Sequence, residues 1–277
     1  MDELSEAQAD KQHPIEKALT TKVFGRNLVV LPRTGSTNDI AKDLATRGAP
    51  EGTVVVADEQ TAGRGRMNRR WLAPPSTCLL CSILFRPTFS LSQANRLTML
   101  CSLAAADAVE QVGGLPVALK WPNDLIIKSQ IPNPKSQDWR KLAGVLTETG
   151  VIGEQLEFAV VGIGINVNVE PKVLPTLAPD ATSILAEIGQ KVDRMVFLAT
   201  LLAGVEARYK QLQAGESPHA EWAARLATLG QPVVVITFEG TLTGVAESVD
   251  EAGALLLRTP DGRLHRLLAG DVTLSHP

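Results

Sequence analysis

The chain has 277 residues, of which 44% are hydrophobic, so it is long enough for one large domain and one small domain. Its 27 Lys and Arg residues against 30 Asp and Glu residues give a net charge of −3, which argues against a generally basic surface that coats nucleic acid. The N-terminus is polar and no apolar stretch reaches the roughly 18 residues of a membrane span, so we expect a cytoplasmic protein outside membranes.

Residues 1–22 are polar and unpatterned, and we expect them to form a loose tail. The next segment, 23–228, alternates strand-like and helix-like stretches and begins with a strand at 28–32. Ser36-Thr37-Asn38 offers capping side chains for a helix that runs to about Arg47 and stops at Gly48. Further predictions are strands at 53–57 and 77–85 and a long amphipathic helix at about 92–112.

Four strand-like stretches then follow one another with short links, at 117–121, 124–128, 141–148 and 156–169. Short links favour antiparallel neighbours, so the sequence predicts an α+β domain with a central mixed or antiparallel sheet and flanking helices. Two of these helices are expected at about 193–213 and 219–228. From 229 to 277 the pattern changes to five short strands with Gly or Asp-Gly turns, which predicts a small C-terminal β-barrel.

The three cysteines are expected to be buried, reduced thiols. Cys78 and Cys81 form a C-x-x-C pair, but this pair lies within the apolar, strand-like run CLLCSILF. Neither a second cysteine pair nor a histidine cluster accompanies it, and Cys101 is left over as an odd cysteine. The sequence therefore predicts neither a metal site nor a redox site.

The most informative stretch is QTAGRGRMNRRW at 60–71, in which four arginines fall within seven residues after an apolar strand. Gly63 and Gly65 allow the backbone to approach a ligand, and guanidinium groups bind carboxylate or phosphate through paired hydrogen bonds. The spacing is neither a dinucleotide-binding fingerprint, because Asn68 replaces the third glycine, nor a P-loop. A solvated face or a nucleic-acid patch is the alternative to an anion-binding loop.

Four further motifs each have a plain structural explanation beside a functional one. KWPNDL (120–125) is also typical of an ordinary turn after Pro122, and Lys141 in KLAG is also typical of a solvated lysine. The two glycines of GIGINVN (162–168) indicate close approach of either a packed neighbour or a ligand. STN at 36–38 is also explained by helix capping alone.

Taken in order, the motifs STN, EQTAGRGRxxRxW, KWPNDL, KLAG and GIGIN resemble the catalytic domain of bacterial biotin protein ligases over roughly residues 28–277. The resemblance implies a fold similar to class II aminoacyl-tRNA synthetases with an SH3-like C-terminal barrel. It implies that biotin is activated by ATP and Mg²⁺ to biotinyl-5′-AMP and then passed to a lysine of the biotin carboxyl carrier protein of acetyl-CoA carboxylase. It allows a homodimer. Only about 35 residues precede STN, so we expect neither an N-terminal DNA-binding domain nor a nucleic-acid partner.

Carried over residue by residue, the resemblance assigns three overlapping groups. Biotin contacts are expected from Ser36, Thr37, Asn38, Gln60, Arg64, Gly65, Arg66 and Lys141. Contacts to ATP or the adenylate are expected from Arg66, Trp71, Lys120, Asn123 and Asn166. Catalysis is expected from Lys141, Arg64 and Asp124. In this assignment Lys141 and Arg64 neutralise charge, Asp124 takes the proton of the acceptor amine, and the protein itself holds no metal.

Two departures from the family pattern concern this site. Asn68 stands where the family usually has glycine, which predicts a different ordering of the loop when ligand binds. Residues 129–140 form an insertion, longer than the usual hairpin turn, directly before Lys141.

Two rival interpretations come from other functions. A lipoate–protein ligase would share the fold and the adenylation chemistry, but the combination of KWPNDL with GRGRxxRxW favours biotin. An RNA-binding protein that used the arginine loop would need aromatic side chains for base stacking, and aromatic residues make up only 4% of the chain.

Overall fold

A seven-stranded sheet forms the centre of the computed structural model, which describes residues 18–67, 69–129, 139–153 and 155–274. The order across the sheet is β1-β2-β3-β7-β6-β5-β4, in which β1 and β2 are parallel and the other neighbours are antiparallel. The predicted mixed sheet is therefore confirmed. Its strands are β1 (Leu28–Leu31), β2 (Val54–Ala57), β3 (Cys78–Phe85), β4 (Ala118–Lys120), β5 (Asp124–Lys128), β6 (Trp139–Ile152) and β7 (Gln155–Asn166).

Helices cover both faces of this sheet. They are α1 (Thr37–Thr46), α2 (Asn95–Gly113), α3 (Leu174–Leu177), α4 (Ile184–Ile188), α5 (Arg194–Gln213) and α6 (His219–Ala224), with a 3-10 turn at Leu91–Gln93. Helices α2 and α5 share a core with Val54 and Val56, whereas α1 packs with Val55 and Ala57. Since side chains alternate along a strand, burial on both faces explains why β2 is apolar throughout.

Some predicted element boundaries differ from the structure, and two short helices were not predicted. Strand β7 ends at Asn166 rather than at 169, because the backbone N–H of Asn168 turns to the carbonyl of Thr77 at 2.7 Å. Helix α6 ends at Ala224 rather than at 228, because the next residues pair their backbone with Leu119. The short helices α3 and α4 were not predicted, since four or five residues are too few to establish a helical period.

The C-terminal segment forms a separate antiparallel sheet in the order β11-β10-β9-β8-β12, so all five predicted strands are present. Among the described residues, no pairing joins the outer strands β11 and β12 into a closed barrel. Trp121 links the two sheets, because its backbone N–H donates to Thr228 Oγ1 and its indole N–H donates to the carbonyl of Gly253, both at 2.9 Å. The strands of this sheet are β8 (Pro232–Thr237), β9 (Gly240–Val249), β10 (Leu255–Arg258), β11 (Leu264–Leu267) and β12 (Asp271–Leu274).

Within the described ranges, no helix is both long and apolar enough to cross a bilayer. The insertion at 129–140 lies mostly outside the described residues, as does Asn68.

The predicted loose tail requires a correction at its C-terminal end. Residues 1–17 lie outside the described residues, but Leu19 and Thr21 are buried, so the prediction is wrong for this part. The buried carboxylate of Glu206 on α5 accepts hydrogen bonds from the backbone N–H groups of Lys22 and Phe24 at 2.9 and 3.1 Å. Burial raises the pKa of the Glu206 carboxyl, but these hydrogen bonds, together with those from the Lys210 ammonium and the Val23 N–H, outweigh burial and lower the pKa from 4.5 to about 2.

We expect Glu206→Gln to lower the free energy of unfolding near neutral pH by roughly 3 kcal/mol, because each pKa unit corresponds to about 1.4 kcal/mol. Because the pKa of Glu206 is lower in the folded protein than in the unfolded chain, the ionised carboxylate contributes its full stabilisation above pH 4.5. This stabilisation disappears as the pH falls toward 2. Urea unfolding at pH 7, 5 and 3 should therefore give a difference from wild type that shrinks with falling pH. A difference that stays constant with pH would contradict this account, and the exposed Glu216→Gln is the control.

Candidate active site

One cavity of about 240 Å³ gathers the sequence motifs. It lies between the start of α1, the loop 60–72, strands β5, β6 and β7, and the first residues of β12. Every residue assigned from the sequence lines it: Ser36, Thr37, Asn38, Gln60, Arg64, Gly65, Arg66, Trp71, Lys120, Asn123, Asp124, Lys141 and Asn166. Residues that are far apart in the chain are thus brought to one surface by the fold.

Lys141 and Asp124 form an ion pair in the cavity, with 2.6 Å between Nζ and Oδ1. The register between β5 and β6 shifts by one residue beside Leu142, so β6 contains a bulge there. Leu142 faces the core, and the extra residue places the Lys141 side chain on the same face as Gly144, whose Cβ position would lie 3.7 Å from Lys141 Cε. The insertion before Lys141 therefore does not remove this lysine from the site.

The two glycines of GIGIN make room for side chains of the site. A Cβ atom on Gly164 would lie 2.7 Å from Cε2 of the Trp71 indole, and a Cβ atom on Gly162 would overlap the Asn38 amide. Both contacts are closer than non-bonded atoms tolerate, so only glycine fits. Packing against a neighbouring side chain is thus observed at both glycines, and both also line the cavity, so contact with a ligand stays a prediction.

The start of α1 is capped differently from the prediction. Ser36 is the N-cap residue, but its side chain makes no capping hydrogen bond. The Gln60 side-chain oxygen instead accepts from the backbone N–H of Thr37 at 2.7 Å and from its hydroxyl at 3.1 Å. Because the cap comes from the loop rather than from STN, the arginine loop and the helix are fixed relative to each other.

The arginine loop is folded back on itself. The backbone N–H of Trp71 donates to the carbonyl of Gly63 at 2.9 Å, and that of Gly65 donates to the carbonyl of Arg69 at 2.7 Å. A Cβ atom on Gly63 would lie 2.7 Å from the carbonyl oxygen of Trp71, so this glycine permits the close approach. The loop thereby forms a narrow cover on one side of the cavity.

Arg64 is paired within the chain rather than directed at the cavity as a free cation. Its guanidinium donates to both carboxylate oxygens of Asp39, at 2.5 and 2.7 Å, and to Glu148 at 3.2 Å. The hydrogen bonds from Arg64 lower the pKa of the Asp39 carboxyl to about 2. Two carboxylates of the protein thus pair with the Arg64 guanidinium, and its role as a charge neutraliser stays a prediction.

Arg66 is the guanidinium that faces the cavity without a partner. Its side chain makes neither a hydrogen bond nor an ion pair with any described residue, and it lines the cavity. Burial lowers the pKa of Arg66, and the nearby carboxylates of Asp124 and Asp271 act in the opposite direction. The indole N–H of Trp71 is likewise buried without an acceptor among the described residues. A bound anion with acceptor oxygens would satisfy such donors.

The C-terminal sheet contributes to the same site. Asp271, the first residue of β12, lines the cavity and forms an ion pair with Arg69 of the loop. The loop thus contacts both parts of the chain.

The remaining assigned polar residues, Asn123, Asn166 and Lys120, form part of the cavity wall. Asn123 donates to the carbonyl of Val145 at 2.6 Å, and Asn166 donates to that of Thr182 at 2.9 Å. Lys120 of β4 lies opposite Asp124 of β5 in the hairpin that these strands form, and it also lines the cavity. Each of these asparagines therefore contacts a nucleotide only through the amide groups that do not make these backbone hydrogen bonds.

The burial predicted for the three cysteines is confirmed. Cys78, Cys81 and Cys101 are free and buried, and burial raises the pKa of Cys78 and of Cys81 to about 11 and about 12. Among the described residues, no group of three or more His, Cys, Asp or Glu side chains could hold a metal ion.

Sequence reasoning missed four residues that support this site. Ser82 of β3 donates to the Asn38 amide oxygen and contacts the Thr37 hydroxyl. Asp39, Glu148 and Asp271 pair with arginines of the loop. Ser82 is hidden within an apolar strand, and the three carboxylates are ordinary surface residues in the sequence. The one signal in the sequence was the group of four arginines at 64–70 in a chain with a net charge of −3, which suggests carboxylates near the loop.

Comparison with known proteins gives consistent results over nearly the whole chain. Residues 30–166 match the biotin/lipoate A/B protein ligase family, and residues 228–275 match the biotin protein ligase C-terminal domain. The chain is 34% identical over 263 residues to the bifunctional ligase/repressor BirA of Bacillus subtilis, covering 94% of this chain and 78% of the relative. It is 36% identical over 242 residues to the biotin--[acetyl-CoA-carboxylase] ligase of Paracoccus denitrificans, covering 84% and 95%. Among solved structures, the biotin protein ligase of Aquifex aeolicus in complex with biotin and ATP is similar, with a TM-score of 0.71, 29% identity and coverage of 91% and 100%.

Proposed function

This chain belongs to the biotin/lipoate A/B protein ligase family, and on that premise we propose that it is an ATP-dependent biotin protein ligase. It converts biotin and ATP to biotinyl-5′-AMP and pyrophosphate, and it transfers biotin to one lysine of a biotin carboxyl carrier protein. The observation that carries the proposal is the single cavity in which all five motifs meet around Lys141 and Arg66.

Adenylation requires an oxygen of the biotin carboxylate to attack the α-phosphorus of ATP while the bond to the β-phosphate breaks. Two anions must therefore come together, and at ~4 Å with an effective dielectric constant of ~20 each charge pair costs roughly 4 kcal/mol. Lys141 and Arg66 both line the cavity, and Arg66 has no side-chain partner among the described residues. We assign charge neutralisation to these two residues, with Lys120 as a further cation on the wall.

The product is a mixed anhydride that water would hydrolyse, so it must be covered. The loop 60–71 is the proposed cover. Ser36, Thr37, Asn38 and Gln60 form the proposed biotin-binding end of the cavity, because their amide and hydroxyl groups suit a polar, uncharged ligand group. Trp71 is the proposed stacking and hydrogen-bonding surface for the nucleotide.

Transfer requires an uncharged amine. At a reference pKa of ~10.4, only about one carrier lysine in a thousand is neutral near pH 7.4, at a cost of roughly 4 kcal/mol. We propose that Asp124 orients this amine and accepts its proton while the nitrogen attacks the acyl carbon and AMP leaves. Asp124 lines the cavity with its side chain mostly buried, and the Lys141 Nζ atom lies 2.6 Å from its Oδ1 atom.

Mg²⁺ fits this site as a companion of ATP rather than as a resident ion. Magnesium commonly binds through substrate phosphates, waters and one or two carboxylates. The cavity offers Asp124 and Asp271, both already paired with cations, and the described residues contain no dedicated ligand cluster. When bound with ATP, Mg²⁺ supplies additional neutralisation of phosphate charge.

The C-terminal sheet is proposed to be SH3-like and to border the place where the carrier domain enters, since Asp271 lies at the cavity. The proposed compartment is the cytoplasm, which suits three free, buried thiols.

The experiment that tests the proposal is biotin transfer followed by intact mass spectrometry. The protein is incubated with biotin, ATP, Mg²⁺ and a purified biotin carboxyl carrier domain. The expected result is addition of one biotinyl group to the carrier and none to a carrier whose target lysine is replaced by arginine. An unmodified wild-type carrier, with enzyme and carrier both folded, would contradict the proposal.

Gly164→Ala is expected to lower kcat/KM for ATP by about 100-fold, because the new Cβ atom displaces the Trp71 indole, and a misplacement of about 1 Å has effects of this size. The rate of pyrophosphate release at varied ATP measures this. The matched control is Gly204→Ala on α5, where the new Cβ atom would lie 3.4 Å from the Cβ atom of Ala104; Gly204 does not line the cavity. Equal rates for Gly164→Ala and wild type would refute the role of this glycine.

A further inference from the structure

Glu148 does not line the cavity, but it contacts two residues that do. One is Asn38 at the start of α1, which we call the floor, and the other is Arg64 in the loop 60–71, which is the proposed cover. Glu148 belongs to β6, and its side chain is 27% exposed. One carboxylate oxygen accepts from the Asn38 amide at 2.6 Å, and the other accepts from Lys42 at 2.8 Å. The Arg64 guanidinium donates to the same carboxylate at 3.2 Å. No sequence motif includes Glu148.

On the floor, Glu148 determines which way the Asn38 amide points. A carboxylate only accepts hydrogen bonds, so the Asn38 NH₂ group must face Glu148. The Asn38 oxygen then faces Ser82, whose hydroxyl lies 2.5 Å away, and Ser82 also contacts the Thr37 hydroxyl at 2.7 Å. The backbone N–H of Thr37 in turn donates to Gln60, which caps α1. Glu148 therefore orients the proposed biotin-binding groups through Asn38.

On the cover, Glu148 is one of two carboxylates that hold Arg64. Asp39 and Glu148 face Arg64 and Lys42, so two negative and two positive side chains form a closed cluster. Burial raises the pKa of Glu148, but hydrogen bonds from Lys42 and Asn38 outweigh it, so the net pKa is lowered and the carboxylate stays ionised. Arg64 is the only member of this cluster that belongs to the loop.

We infer that Glu148 is a positioning residue that couples the floor of the biotin site to closure of the loop through the Asn38 and Arg64 contacts of one carboxylate. The inference rests on the proposed function. Binding of biotin against Asn38 and retention of the adenylate beneath the loop then depend on the same side chain, although that side chain touches neither ligand.

The test measures steady-state pyrophosphate release and the rate at which preformed biotinyl-AMP leaves the protein. Glu148→Gln keeps an acceptor for Asn38 but removes the charge that holds Arg64. We expect the KM for biotin to rise about 10-fold and adenylate release to accelerate about 10-fold, as for loss of a hydrogen bond to a charged group. The KM for ATP should stay within about 2-fold, because Glu148 contacts no group of the proposed nucleotide end.

Arg64→Gln provides the second variant, and it lies on the partly exposed loop, where substitution leaves the core intact. It should accelerate adenylate release to the same extent. Combining it with Glu148→Gln should add little, because both substitutions remove the same contact between Arg64 and Glu148. The control is Glu247→Gln, which removes a carboxylate paired with Arg258 on the C-terminal sheet.

Three results would overturn the inference. These are unchanged adenylate release in both single variants, fully additive effects in the double variant, and equal rises in both KM values with a lowered melting temperature. If Glu148→Gln does not fold, Arg64→Gln alone decides between faster release and no change. Absence of biotin-dependent pyrophosphate release in the wild type would instead refute the proposed function and is distinguishable from these results.

Discussion

Lys141→Ala is expected to lower pyrophosphate release from ATP and biotin by about three orders of magnitude. Lys141 is the cation assigned to the approaching carboxylate and α-phosphate, and one uncompensated charge pair costs roughly 4 kcal/mol, or about a factor of 10³ in rate. Its Nζ atom lies 2.6 Å from Asp124 and 5.8 Å from the centre of the Trp71 ring, so it stands at the middle of the motif residues.

The same substitution should change stability much less than activity. It leaves Asp124 without its cation, which costs on the order of 1–3 kcal/mol for a group with 14% side-chain exposure. Urea unfolding measures this, and Lys210→Ala, which removes an ion-paired lysine on α5, is the control. A wild-type rate of pyrophosphate release in Lys141→Ala would remove this lysine from the mechanism.

Asp124→Asn is expected to slow biotin transfer from preformed biotinyl-AMP by about 10²- to 10³-fold, within the roughly 10²- to 10⁴-fold contribution of a general base. Supplying the adenylate separates this step from adenylation, in which Asp124 acts only through its contact with Lys141. The rate of carrier biotinylation in single-turnover experiments is the measurement.

The control for Asp124→Asn is Asp58→Asn, which removes an ion-paired carboxylate outside the cavity. Raising the pH should partly rescue Asp124→Asn, because a larger fraction of the carrier lysine is then uncharged. Wild-type transfer by Asp124→Asn would show that the amine loses its proton to another group.

Much of the fold follows from local sequence patterns. Strands β2 and β3 are continuous apolar runs, α1 is bounded by STN and Gly48, and the C-terminal strands are separated by Gly and Asp-Gly turns. These signals depend on neighbours in the sequence, and the structure confirms them. The ends of β7 and α6 could not be predicted, because contacts of Asn168 and Leu119 with distant backbone end these elements.

The candidate site was predictable in its members but not in their pairing. The motifs contain every assigned residue that lines the cavity, but they did not predict that Arg64 pairs with Asp39 and Glu148. They also gave the cap of α1 to Ser36 instead of Gln60. Such partners are chosen by tertiary contacts between residues far apart in the chain. Similarly, the bulge beside Leu142 depends on the register with β5.

The most direct test of the account is pyrophosphate release by the wild-type protein with ATP and Mg²⁺, using biotin and lipoate in parallel. The account predicts release with biotin and none above background with lipoate, because the cavity end formed by STN and Gln60 is assigned to biotin. Release with lipoate alone would contradict the account and move the protein to the lipoate branch of the same family. Silence with both acids would contradict adenylation itself.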